Sequence, residues 1–189
     1  PILAHPPDTD SDITLQEWLA QMVDTNKGIK LDFKSPDALG PSLELLGRVE
    51  RRLGRPVWIN GDVLAGPGGG RAALDARGLL GAVTAAFPDL CAVPAGYGWA
   101  AVRGGGRLCR RLSQPVSLGG RAALVPRSLP ELGGVLQQSD RYSLTVWTGK
   151  EDIYSVEDLL QIRENFDKSR VYYDIFEPQN SEFKKAIGI

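Results

Sequence analysis

Short apolar runs alternate with amphipathic stretches along almost the whole chain. β-branched or apolar runs lie at 28–34 (GIKLDFK), 56–62 (PVWINGD), 89–93 (DLCAV), 115–118 (PVSL), 142–147 (YSLTVW) and 171–175 (VYYDI). Their starts are 28, 33, 26, 27 and 29 residues apart, the step of a strand–helix unit with short loops. A further run, Ile2-Leu3-Ala4-His5, reads as a strand already under way at the first residue, Pro1, and the N-terminal part of the domain is expected to be missing.

Between the runs lie helix signatures. Thr14 and Glu17 form a capping-box pair ahead of a stripe of Leu15, Trp18, Leu19, Met22 and Val23. Ser35-Pro36 places a cap and a first-turn proline before Leu39, Leu43, Leu46, Val49 and Leu53. Ser155 with Asp158 opens a helix carrying Val156, Leu159, Ile162 and Phe166. Further helices are predicted near 71–86 and 128–138, the second interrupted by Pro130 and Gly133-Gly134. The glycine-rich stretches 66–70 and 103–107 are predicted as flexible crossings, because neither has the ending of a phosphate-binding loop.

Six strand–helix units and a leading half-strand predict an α/β fold, a TIM-type (β/α) barrel lacking strands 1 and 2. A complete barrel takes ~250 residues, and this chain of 189 falls short by about two units. The whole of 1–189 is expected to be one domain. An open barrel leaves unpaired edges, so the chain alone is expected to be marginal or to aggregate.

In a barrel the chemistry sits at the C-terminal ends of the strands. There, Lys30, Asp32 and Lys34 alternate and so share one face. Three charges on an inner face are costly unless paired or bound to a ligand. A carboxylate between two ammonium groups suits a phosphate–metal site, and a solvated edge with a local ion pair is the plainer alternative. Asn60 and Asp62 alternate in the next strand with Trp58. Trp147 ends another strand, and Asp174 and Glu177 end the last, where they could orient the lysines or cap the sheet. Tyr97, Trp99 and Arg121 are further loop or strand-end candidates. His5, the one histidine, precedes a loop with Asp8, Asp10 and Asp12. That loop lacks the glycine and bidentate glutamate of an EF-hand. Alone, a histidine is more often a structural residue than an acid or base, which needs a second group to complete a proton cycle, but its place before this exposed acidic loop favours a catalytic role more than a lone histidine would.

Composition removes other classes. There are 22 basic and 23 acidic residues, a formal charge of −1, so nothing calls for nucleic acid or a charged membrane surface. No apolar stretch reaches the ~20 residues of a membrane span. Cys91 and Cys109 form no metal motif, and a disulfide between them has no support beyond their number.

The segments LAHPPDTDSD, KGIKLDFKS, PSLELL, RPVWINGDVL, RYSLTVW, SVEDLL and VYYDIFEP together resemble the menorin family, also called the family with sequence similarity 151. The ending YDIFEPQNSEFKKAIGI resembles its single-domain, non-membrane vertebrate form, and Arg71 to Gly120 matches poorly. The family is similar in turn to glycerophosphodiesterases and phospholipase-D toxins. The resemblance implies a phosphodiesterase-like barrel that holds a divalent cation, Mg²⁺ or Ca²⁺, and acts on a glycerophosphodiester or lysophospholipid-like substrate. It implies His5 as the second catalytic histidine, Asp32 as the third metal ligand, Lys34 as the phosphate-binding lysine and Trp147 as the tryptophan beside the substrate. The first histidine and a Glu-x-Asp pair would precede Pro1. Asn60, Asp62, Asp174 and Glu177 match menorin motifs only. The alternative the resemblance implies is an extracellular, non-catalytic cue in neuronal patterning that works with a cell-surface adhesion partner.

Overall fold

The computed structural model describes residues 1–63, 74–95 and 99–189, with the backbone alone at 91–95 and 99–103. The chain runs α1 (Leu15–Met22), β1 (Ile29–Phe33), α2 (Leu39–Val49), β2 (Val57–Asp62), α3 (Ala76–Ala86), β3 (Cys91–Ala95), α4 (Trp99–Cys109), β4 (Val116–Arg121), α5 (Leu129–Leu136), β5 (Tyr142–Trp147), α6 (Val156–Asn165), β6 (Val171–Asp174) and α7 (Gln179–Ala186). All six strands are parallel and lie in sequence order β1–β2–β3–β4–β5–β6.

Strand alternation assigns the two faces. In β1, Ile29, Leu31 and Phe33 are buried while Lys30 and Asp32 are exposed. The buried set packs with Leu15 and Leu19 of α1, Leu43 and Leu46 of α2, and Val57 and Ile59 of β2. A second cluster joins Val116 and Leu118 of β4 and Leu144 and Val146 of β5 to Leu132, Leu159, Ile162 and Phe183 from α5, α6 and α7. The helices thus cover one face. The opposite face carries Lys30, Asp32, Trp58, Asn60, Asp62, Ser117, Arg121, Ser143, Thr145, Trp147, Tyr172 and Asp174, none of which belongs to either apolar cluster.

That polar face is concave. Lys30 of β1 pairs with Asp174 of β6. Five inter-strand steps of ~4.8 Å would hold them roughly 24 Å apart in a flat sheet. Trp58 of β2 likewise meets Tyr172 of β6, ring centroids 5.4 Å apart and 63° between planes. The curl stops short of closure, because the edges meet through side chains and the backbone ladder runs only from β1 to β6. The expected TIM-type barrel is therefore corrected to an open, curled parallel sheet. A repeat of about 28 residues specifies strand–helix units, but closure also depends on strand tilt and stagger, which spacing does not encode.

Most local expectations hold. Thr14–Glu17 and Ser155–Asp158 are both full capping boxes. Pro130 sits in the first turn of α5, where its missing N–H costs nothing, and Gly133-Gly134 do not break that helix. Three readings need correction. Residues 2–5 form no strand, and only an isolated antiparallel bridge joins Ile2 to Thr14. Ser35 makes no side-chain cap; Pro36–Ala38 is a short 3₁₀ turn and α2 begins at Leu39. The stretch 103–107 is helical within α4, where Gly106 lies close under Val135 and its carbonyl accepts the Tyr142 hydroxyl. The C-terminal helix α7 was not anticipated. The glycine cluster at 66–70 and Tyr97 lie outside the described residues. Cys109 is a free, buried thiol, and burial pushes its pKa up to about 11.

One guanidinium ties the second half together. Arg170, just before β6, donates through Nε to the Tyr142 carbonyl at 2.8 Å and through Nη2 to the carbonyls of Leu136 and Ser139 at 2.7 Å each. It thus satisfies acceptors at the end of α5 and the start of β5.

Leu144 is fully buried within the second cluster. Leu144→Ala is expected to destabilise the fold by ~2–5 kcal/mol, through lost burial plus a residual cavity. Denaturant unfolding of the two proteins reads this directly, and a loss under ~1 kcal/mol would show that this layer is loosely packed.

Candidate functional site

The chemistry-bearing side chains gather toward the C-terminal ends of β1 and β2 on the concave face. Asp32 stands directly across from Asn60 in the β1–β2 register, and Lys34 follows two positions further on, paired with Asp62. The Asn60 Nδ2 donates to Asp32 Oδ1 at 2.7 Å. The Lys34 ammonium lies 3.0 Å from Asp32 Oδ2 and 2.9 Å from Asp62 Oδ2. Asp32, Lys34 and Asp62 keep 34%, 21% and 32% of their side-chain surface exposed, whereas Asn60 keeps only 7% of its residue surface. Asn60 therefore lies beneath a solvent-reached lysine and two carboxylates. Burial disfavours charge on Lys34, but Asp62 and Asp32 together outweigh it and hold its pKa above the ordinary lysine value.

Asn60 uses its amide nitrogen on Asp32, and its Oδ1 is buried with no hydrogen-bond partner among the described residues. Reversing the amide would set two acceptors against each other, so the network itself fixes the orientation.

The remaining candidates are arranged around this group. Lys30 pairs with Asp174 across the mouth of the curl, separate from the Lys34 pairings. Trp147 ends β5 opposite Asp174 and lies against Arg121, whose guanidinium carbon is 5.6 Å from the ring centroid. Glu177 accepts from the Ser181 backbone N–H at 3.0 Å and from Asn180 Nδ2 at 3.2 Å, and so caps the start of α7. The Ser181 contacts lower its pKa. His5 is exposed, and its Nδ1 hydrogen bonds to the Pro6 carbonyl at 2.8 Å. Among the described residues no hydrogen bond joins His5 to the Asp32–Lys34 group. Trp58, with Tyr172, walls a cavity of about 420 Å³ at the other end of the strands, also lined by Arg55, Asp89 and Leu90.

Asp152, the partner of Arg121 at the end of β4, escaped sequence reasoning. Asp152, its side chain 3% exposed, receives Arg121 Nε at 2.8 Å, Arg121 Nη2, and the Gly149 backbone N–H at 2.8 Å. The available signal was an aspartate three residues after a glycine in the loop following β5, a turn in which the carboxylate caps its own backbone. A hydroxyl pair, Ser117 Oγ and Thr145 Oγ1 at 2.6 Å, also lies on this face.

The donor set can be weighed against the implied cation. Among the described residues, no three of His, Cys, Asp or Glu converge as metal ligands. Asp32, partly exposed and held by Asn60 and Lys34, offers one carboxylate. That fits an ion of the magnesium type, which keeps waters and phosphate oxygens in most of its positions and takes one or two carboxylates from protein. A calcium cage of six to eight protein oxygens does not fit.

The Asp152 corner has a defined pH signature. The Arg121 hydrogen bonds favour the ionised carboxylate and lower its pKa in the folded chain, against the opposing effect of burial. Its stabilisation is complete above the unfolded aspartate value of about 3.9 and is lost as pH falls below that toward the folded value. Asp152→Asn is expected to cost ~1–3 kcal/mol at pH 7 and less near pH 2. Melting curves at both pH values check this; equal losses at both would refute the charge-based account.

Comparison with known proteins adds kinship to this geometry. The Menorin N-terminal domain family matches residues 1–180. The human "Protein FAM151B" is 53% identical over 201 aligned positions, which cover 100% of this chain and 73% of that protein. No solved structure matches the chain. With a family match across nearly the full length and a majority-identical relative, the chain belongs to the menorin family.

Proposed function

We propose that the concave face binds a phosphodiester-type ligand, and that the chain contributes this surface to a cation-dependent phosphodiesterase acting on glycerophosphodiester or lysophospholipid-like substrates. The observation that carries the reading is the Lys34 ammonium fixed within 3.0 Å of both Asp32 and Asp62, one-fifth exposed at the strand ends. Lys34 offers hydrogen-bond donors and positive charge to phosphate oxygens, and it is already held in place, so little reorganisation is needed as charge grows on them. Asp32 would hold a magnesium-type cation, which when bound would polarise a phosphoryl oxygen. Trp147, stacked beside Arg121, supplies an aromatic wall for the organic part of the ligand. Lys30 and Asp174 span the mouth and set its width.

No proton-transfer step is assigned to His5, because its imidazole is engaged with Pro6 on the exposed N-terminal segment. The same observation favours a second reading. Without a paired acid and base, the face would hold a phosphorylated headgroup without cleaving it, as expected of an extracellular cue acting with an adhesion partner.

The two readings separate in one set of assays on the full chain with Mg²⁺. Wild type is expected to hydrolyse glycerophosphocholine or lysophosphatidylcholine, and Asp32→Ala and Lys34→Ala are each expected to lose about 10²–10³-fold in rate while melting as wild type does. Binding of these lipids without product, abolished by the same substitutions, supports the second reading. Full activity in Asp32→Ala sinks the first.

A further inference from the structure

We infer that β2 acts as the template for the reactive groups of β1: Asn60 is the positioning residue for Asp32, and Asp62 is the positioning residue for Lys34. The inference rests on the reading above, in which Asp32 and Lys34 meet the cation and the phosphate. It goes further by giving Asn60 and Asp62 no ligand of their own.

Register is the first argument. Asp32 pairs with Asn60, and two positions on Lys34 meets Asp62, so each β1 group has a β2 partner at a similar height on the sheet. Adjacent parallel strands fix backbone spacing, so a side chain on β2 is a rigid reference for its neighbour. The second argument is access. The side-chain oxygen of Asn60 is buried and the residue keeps only 7% of its surface exposed, so a ligand above Asp32 would not reach it. The third is charge. Asp62 would repel an anionic ligand that it touched, and its carboxylate instead accepts the Lys34 ammonium at 2.9 Å. Without Asp62, Lys34 would swing onto Asp32 alone and turn its donors away from a bound phosphate. Without Asn60, Asp32 would lose the amide that fixes its plane. Neighbours that orient a metal-binding or phosphate-binding side chain commonly matter nearly as much as the side chain itself.

Residues that act only through a partner have no effect once that partner is gone, so double-mutant cycles on the full chain decide the question. NMR-monitored titrations with Mg²⁺ and with inorganic phosphate, which reach high-millimolar dissociation constants, are the readouts. Asn60→Ala is expected to weaken Mg²⁺ binding about tenfold in wild type and to change it by less than about twofold in Asp32→Asn. Asp62→Ala is expected to weaken phosphate binding about threefold or more in wild type and to have no effect in Lys34→Ala. Because Asn60 is enclosed, Asn60→Leu, which keeps its volume without an amide, runs alongside, and melting curves confirm folding of each variant. An Asn60 effect that persists without Asp32, or tighter phosphate binding in Asp62→Ala, overturns the inference and leaves the functional reading standing. Failure of wild type to bind either probe overturns both.

Discussion

The two-residue alternation of the strands is the constraint on which everything else depends. A parallel sheet usually buries both faces and reads as a continuous apolar run. Here Ile29, Leu31 and Phe33 alternate with Lys30 and Asp32, and Leu144 and Val146 alternate with Ser143, Thr145 and Trp147. The helices can cover only one side of such a sheet. The other side must settle its charges internally, and curvature provides the means by bringing residues of β1 and β2 against β6.

Each cation described on that face is matched to an acid. Lys30 meets Asp174, Lys34 meets Asp32 and Asp62, and Arg121 meets Asp152. The three groups differ in depth. The Lys30 pair is exposed enough for solvent and salt to screen it, and its contribution to stability is correspondingly small. The Asp152 carboxylate is almost fully enclosed, so its pairing is largely structural. The Lys34 group lies between these limits, accessible enough for a ligand and ordered enough to be preorganised. This intermediate burial, more than the presence of charge, separates it from the other two.

Much of this was legible in the sequence. Strand positions followed from the spacing of apolar runs, and two helix starts followed from Thr14–Glu17 and Ser155–Asp158, because both signals are local. The gathering of Lys34, Asp32, Asn60 and Asp62 on one face was implied by alternation in two successive strands. What could not be read depended on tertiary geometry. Closure of the sheet is decided by tilt and stagger across all strands. The helix over 103–107 runs against the poor propensity of three consecutive glycines and is held by packing of Gly106 against Val135. Glu177 reads as a site residue in sequence, but the helix after it takes its carboxylate as a cap. The catalytic role of His5 is implied by the family resemblance, and nothing local in the sequence fixes its distance from β1.

The Arg170 clamp bears on which residues this position can accept. Its planar fork reaches three carbonyls, one at the end of α5, one in the loop that follows and one at the start of β5. A lysine would keep the charge, but its tetrahedral head cannot match the fixed directions of a guanidinium fork. The junction of α5, β5 and β6 therefore tolerates exchange of its apolar neighbours more readily than a nominally conservative swap of this one basic side chain. Homologous chains that lack the arginine should carry a rebuilt loop at 137–141 in compensation.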